Sequence, residues 1–253
     1  MKGSFLKRTR RYFSGYFTQL IVFLLLLFIF RPYNWSTASI AIWEAFFSGV
    51  FFSAIFNANH PKPIKILTMV LGVPALALDW TALFIPWKSL IISSLIFTII
   101  FLTVCTASIL YNVVLRAKVT METLRGVVCA YFMIAFIFGF IYLVLEFIFP
   151  GSFQFIYNDK NYTLHSSYLS QTFYFSFITL LTIGFGDITP ITDLSQSFVV
   201  IEGIIGQFYV AILVARIVSV YVLFGDKAML KHIEQDIRQD IKDAVEKVHK
   251  QKT

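Results

Sequence analysis

Six long apolar segments constrain this chain most, because each can cross a lipid bilayer as a helix. A helix rises about 1.5 Å per residue, so about 20 apolar residues span a hydrocarbon layer of ~30 Å. The segments cover residues 14–31, 37–57, 65–86, 88–115, 126–149 and 196–224. The composition agrees, since 58% of the residues are hydrophobic and 14% are charged. The sequence therefore predicts an all-α integral membrane protein with six transmembrane helices.

The basic residues predict how the chain is oriented. They precede span one and follow spans two and four, and such loops are typically cytoplasmic. Both termini are thus expected in the cytoplasm, in a plasma or inner membrane. Residues 1–13 form a basic N-terminus, and the first span lacks a small-residue cleavage site after it, so we interpret it as retained. A five-span protein with a cleaved first segment is the alternative.

The net charge of +7 raises the question of an acidic partner. The basic residues lie beside the membrane spans, where anionic lipid headgroups account for them. We therefore expect lipids as partners and do not expect nucleic acid.

A Gly-x-Gly motif lies between the fifth and sixth spans, in Thr182-Ile183-Gly184-Phe185-Gly186-Asp187. The segment before it, about 168–181, is too short and too polar to be a span, which predicts a re-entrant helix. Glycine allows left-handed backbone, so the loop can turn successive carbonyl groups toward one axis. A tight surface turn with a chance Gly-x-Gly is the alternative, and its position between a re-entrant helix and a span disfavours it.

This hexapeptide resembles the Thr-x-Gly-Tyr/Phe-Gly-Asp selectivity filter of potassium channels. The resemblance implies a filter at residues 182–186 and a pore helix at 170–181. It also implies that K⁺ binds the carbonyl oxygens of Thr182, Ile183, Gly184 and Phe185 and the Thr182 hydroxyl group. Gly186 completes the filter. Three identical subunits would complete a homotetramer, with passive conduction, no enzyme activity and no cofactor besides the permeant K⁺.

Further residues carry over from the family by position. Tyr174 and Phe175 occupy the places of two pore-helix aromatic residues, and we expect Tyr174 to pair with Asp187. Phe185 lacks the hydroxyl group of the commoner Tyr, and Phe175 lacks a polar partner, so an apolar contact would replace a hydrogen bond. Glu146 resembles a glutamate that braces the outer span against the inner-helix backbone. An ordinary interfacial carboxylate is its alternative.

The last span contains two glycines and two charged residues. Gly206 lies where the family has a gate hinge, since glycine eases bending, whereas Gly203 better suits close packing against span five. Either glycine could serve the other role. Glu202 is expected behind the filter or, alternatively, in the cavity, where it would concentrate cations. Arg216 is expected to reach toward lipid phosphate.

The rest of the chain is predicted in three parts. Residues 14–118 form a four-helix transmembrane domain, and span four has no internal cation, so strong voltage sensing is not expected. Residues 126–224 form the pore domain. Residues 226–253 repeat apolar positions at helical spacing, which predicts a cytoplasmic helix that forms a parallel bundle or lies on the membrane. This tail is too short for a soluble ligand-binding domain.

The sequence thus predicts a potassium-selective channel subunit, and two alternatives stay open. In the first, the same fold forms a non-selective pore for monovalent cations. In the second, the chain is a membrane-anchored assembly or signalling scaffold with a vestigial pore.

Overall fold

The computed structural model describes residues 16–30, 37–55, 62–85, 87–115, 121–155 and 164–213, together with residues 215 and 237. Two compact units divide the chain, Met1–Gln207 and Phe208–Thr253, and the described residues of the second are helical. The predicted N-terminus (1–13), Arg216 and, apart from Ile237, the predicted tail helix (226–253) lie outside the described residues.

The described chain is predominantly helical. Its helices are α1 Tyr16–Ile29, α2 Thr37–Ile55, α3 Lys62–Phe84, α4 Lys88–Leu115, α5 Met121–Ile148, α6 Leu164–Leu180 and α7 Asp193–Leu213. Four of them, α3, α4, α5 and α7, are long and apolar enough to cross a membrane. Within the described residues α1 and α2 are shorter apolar helices. The structure therefore agrees with a helical membrane protein, and six crossings stay a prediction.

Helix α5 occupies the centre of the packing. It contacts α1, α4 and α6, while α2 packs between α1 and α3, and α3 packs on α4. In the most apolar window of α5, 67% of the residues are buried, against 17% in α3 and 11% in α7. Helices α3 and α7 therefore leave most of their apolar surface for lipid or for other protein chains.

Aromatic rings from α1, α2, α5 and α6 form one cluster. Its members include Phe28, Trp43, Phe47, Phe132, Phe136, Phe140, Phe173 and Phe177. The Phe173 ring lies 4.9 Å from the Phe140 ring and 6.0 Å from the Trp43 ring, centroid to centroid. A Cβ atom on Gly139 would come within 2.2 Å of the Phe173 ring, so the missing side chain lets α6 approach α5. The cluster fixes α6 against the first two helices as well as α5.

A short antiparallel ribbon joins the segments of chain that precede and follow α6. The sequence did not predict this ribbon. Strand β1, Phe153–Phe155, pairs with β2, Ile188–Pro190. The Ile191 N–H also donates to the Ser152 carbonyl oxygen, at 2.9 Å. The segment that follows the Gly-x-Gly loop is thereby fastened to the segment that follows α5.

Candidate functional site

The loop that follows α6 alternates in backbone handedness. Thr182, Gly184 and Gly186 have φ angles of 58°, 55° and 78°, and the residues between them do not have positive φ. A backbone that alternates in this way directs successive carbonyl groups to the same side. Glycine adopts positive φ freely, whereas a β-branched residue such as threonine rarely does. We call residues 182–186 the candidate filter.

The amide groups of the candidate filter are directed back to α6. The Thr182 N–H donates to the Thr179 carbonyl oxygen at 2.9 Å, and the Ile183 N–H donates to the Ile178 carbonyl oxygen at 2.8 Å. The Gly184 N–H reaches the same Ile178 oxygen at 3.3 Å. Because these donors are already bonded, this part of the loop offers only backbone acceptors to anything that approaches its open side.

The last residue of α6 is held by two other helices. The Tyr131 hydroxyl group of α5 donates to the Leu180 carbonyl oxygen at 3.0 Å. On α7, a Cβ atom added to Gly206 would lie 2.7 Å from that same oxygen. Glycine at position 206 therefore permits a close approach of α7 to the end of α6.

The two inner-helix glycines differ in their surroundings. The sequence suggested packing against α5 for Gly203, yet among the described residues no atom lies within 4 Å of a Cβ built there. Gly206 was expected as a hinge and instead makes a tight contact with α6. That contact gives the glycine a packing role that the sequence did not reveal, and a hinge at either position stays a prediction.

Glu202 is completely buried between α5 and α6. Its Oε2 atom accepts a hydrogen bond from the Tyr142 hydroxyl group, and its Oε1 atom is hydrogen-bonded to Ser176 Oγ. The carboxyl group therefore lies against α5 and α6 within the subunit. Its position relative to a filter or a cavity, the two placements that the sequence left open, stays a prediction.

Glu146 holds the turn after α5. Its Oε1 atom accepts from the Gly151 N–H at 2.8 Å, and its Oε2 atom accepts from the Phe153 N–H at 3.1 Å. The contacts of Glu146 are thus with this turn, and the expected brace to the inner-helix backbone stays a prediction. The turn carries Ser152, whose carbonyl oxygen accepts from Ser195 Oγ of α7 at 2.9 Å.

Glu146→Gln should destabilise the protein. The carboxylate accepts two backbone N–H groups, whereas an amide has one oxygen and presents its NH₂ group to a second donor. We expect a loss of about 1–3 kcal/mol in the free energy of unfolding, measured by thermal unfolding in detergent. Gln154→Ala alters an exposed side chain of the same ribbon and is the control. Equal stability of the two variants would contradict the assigned role of Glu146 in this turn.

The structure shows contacts for only some of the other residues that were predicted to support the filter. Asp187 Oδ1 is buried and has no hydrogen-bond partner among the described residues, so Tyr174 does not bond to this oxygen, and their pairing stays a prediction. Phe175 is buried against the rings of Tyr142 and Phe153, at 5.4 Å and 5.6 Å. Phe185 is 69% exposed. An apolar contact that involves Phe185 and the pore helix stays a prediction as well.

Sequence reasoning missed Tyr131, Tyr142, Ser176 and Gly139. One signal was available for two of them, because a carboxyl group inside a membrane span requires a polar partner. Helix α6 offers several hydroxyl side chains at suitable depth, and Ser176 is one of them. Which of these hydroxyl groups contacts Glu202 depends on the rotation of α6 about its axis. The sequence does not predict that rotation, because apolar and polar residues are mixed around the helix.

Comparison with known families adds an independent observation. Residues 98–222 match the family model described as "Ion channel". That range begins within α4 and includes α5, α6, the candidate filter and α7. Searches of curated proteins and of solved structures gave no match. The apolar helices indicate an integral membrane protein, and the match at residues 98–222 supports an ion channel family for this chain.

Proposed function

We propose that this chain is a subunit of a potassium-selective channel that conducts K⁺ passively through a homotetrameric pore. The observation that carries the proposal is the backbone of the candidate filter. Positive φ at three alternate residues aligns the carbonyl groups, and the bonds to α6 occupy the neighbouring amides. K⁺ is the substrate, and the proposed ligands are the carbonyl oxygens of residues 182–185 with the Thr182 hydroxyl group.

Aligned carbonyl groups suit a cation because an ion that enters the membrane loses its water. Only backbone that lines a protected cavity can replace that hydration shell. Helix α6 adds to this effect, since the C-terminal end of a helix carries partial negative charge and α6 ends at the loop. The arrangement thus favours a cation over an anion, and the resemblance to Gly-Phe-Gly filters favours K⁺.

The surfaces that one chain leaves uncovered support the proposed tetramer. A single loop cannot surround an ion, and residues 181–186 are all exposed in the isolated subunit. Helix α7 also exposes a series of apolar side chains, Val200, Ile201, Ile204 and Ile205. Three further copies around one axis would cover these surfaces and close the ring of carbonyl groups. We propose the plasma or inner membrane as the location, with both termini cytoplasmic.

The reversal potential of the purified protein in liposomes tests the proposal. With K⁺ inside and Na⁺ outside, we expect a value near the potassium equilibrium potential. Protein-free liposomes measure the leak, and valinomycin calibrates a purely K⁺-selective response. A value midway between the two equilibrium potentials would indicate the non-selective cation pore. Absence of flux would indicate the scaffold with a vestigial pore.

A further inference from the structure

Three polar side chains join the helices that surround the candidate filter. They are Tyr142 of α5, Ser176 of α6 and Glu202 of α7, and each is 0% exposed. Glu202 bonds to both of the others. Ser176 Oγ also lies 2.7 Å from the carbonyl oxygen of Ala135, on α5. Ser176 lies six positions before Thr182, so this cluster fixes the segment that leads into the loop.

The number of available protons decides the state of the Glu202 carboxyl group. Ser176 has one hydroxyl proton but contacts two oxygen atoms, Glu202 Oε1 and the Ala135 carbonyl oxygen. If Glu202 were ionised, both of these atoms would be acceptors only, and one contact would have no proton. A neutral acid supplies it: Glu202 donates to Ser176, Ser176 donates to Ala135, and Tyr142 donates to Oε2.

The electrostatic surroundings point the same way. The ionisable groups that interact with Glu202 are the phenols of Tyr142 and Tyr131, both from α5, and α6 contributes only the Ser176 hydroxyl group. Among the described residues no cation is paired with Glu202. An ionised carboxylate that is buried without a cation costs several kcal/mol, whereas a neutral acid avoids most of that penalty.

We infer that Glu202 is a buried proton-binding site and that, as a neutral acid, it positions the pore helix and so aligns the candidate filter. Its ligand is a proton, and its role is that of a positioning residue, since it does not touch the permeant ion. Removal of the proton at high pH leaves a buried negative charge on Glu202. It also leaves Ser176 Oγ in contact with two acceptor oxygen atoms and with only one proton to donate. The α6 anchor then weakens, and K⁺ flux falls as the pH rises. The flux readout of this inference rests on the proposed function.

Two substitutions at position 202 separate the neutral acid from the ionised one. Glu202→Gln retains a donor for Ser176 and an acceptor for Tyr142, so we expect flux within about twofold of wild type and no pH dependence. Glu202→Leu has similar bulk but neither group, and flux should fall roughly tenfold or more. Wild-type flux at neutral pH should match that of Glu202→Gln and decline in alkaline buffer. Wild-type flux that rises with pH, or a Glu202→Gln variant as impaired as Glu202→Leu, would overturn the inference.

Infrared spectroscopy provides a readout that does not depend on conduction. The wild-type minus Glu202→Gln difference spectrum should contain the C=O stretch of a protonated carboxylic acid at neutral pH. A carboxylate band in its place would overturn the assignment, and this result stands even if the protein conducts no K⁺.

Milder variants cover the case in which Glu202→Leu does not assemble. Ser176→Ala and Tyr142→Phe each remove one hydroxyl group and little volume. We expect each to shift the pH at which flux is half-maximal, because each changes the number of partners of the carboxyl group. Unchanged midpoints in both variants would overturn the inference.

Discussion

Gly184→Ala should abolish K⁺ flux. Gly184 has a φ angle of 55°, and an L-residue there costs about 1–2 kcal/mol in each subunit. Alanine relieves this strain if its peptide group rotates, and rotation turns a carbonyl oxygen away from the common side. Because all four subunits of the proposed tetramer would carry the change, we expect flux in liposomes to fall roughly a hundredfold or more. A clash within the subunit cannot explain such a loss, since a Cβ at position 184 would meet no atom of the described residues within 4 Å.

Gly151→Ala is the matched control for backbone strain. Gly151 lies in the turn after α5 and has a φ angle of 87°. A Cβ built there also meets no atom within 4 Å in the part of the chain that the structure describes. The substitution imposes the same kind of strain outside the candidate filter, so it should lower the unfolding temperature and leave flux intact. Equal loss of flux in both variants would contradict a specific role for the backbone of the candidate filter. So would a Gly184→Ala channel with wild-type selectivity.

Gly206→Ala should destabilise the pore. The new Cβ would lie 2.7 Å from the Leu180 carbonyl oxygen and 2.9 Å from the Leu180 side chain. A backbone oxygen at the end of a packed helix cannot move aside freely, so α7 or α6 must shift. Overpacking of this kind costs about 1–3 kcal/mol, which exceeds the gain of about 1 kcal/mol from replacing a helical glycine by alanine. We expect a lower unfolding temperature in detergent and reduced flux, since Leu180 is two residues before Thr182.

Gly203→Ala separates packing from helix propensity. It lies on the same helix, and a Cβ there meets no described atom within 4 Å. This variant should gain the higher helix propensity of alanine without a steric clash. We therefore expect it to be at least as stable as wild type. If Gly206→Ala were equally stable and only its gating changed, the glycine would act as the predicted hinge and its tight contact would be unimportant. A destabilised Gly203→Ala channel would indicate contacts made only in the assembled tetramer.

The helices could be predicted from the sequence because each is encoded locally. The segment predicted at 88–115 coincides with α4, and the break at Pro150 and Gly151 marks the end of α5. The pore helix was placed at 170–181, and α6 begins earlier, at Leu164. Residues 164–168 contain His165 and two serines, which add no apolar signal. The apolar pattern therefore does not mark the start of α6.

Contacts between distant segments could not be predicted. The ribbon uses two strands of three residues, too short for an alternating pattern to be recognised. The need for glycine at position 139 is visible only once the Phe173 ring is placed against it. Similarly, the sequence shows that Glu202 is an unusual charge in an apolar helix, but the identity of its partners depends on how α5, α6 and α7 are rotated. Those rotations follow from packing of the whole bundle.

The bonds between the loop amides and α6 have a consequence for how such a pore can be varied. Backbone atoms supply the proposed ion ligands of the loop, while the side chains of Ile183 and Phe185 are exposed in the single subunit. The two functions of the loop are thus carried by different atoms. Substitution at these two positions changes the packing around the loop and leaves the proposed ligands as backbone carbonyl oxygens. If the loop acts as the proposed filter, we expect substitutions at Ile183 and Phe185 to change the lifetime of the conducting state and to leave ion preference unaltered.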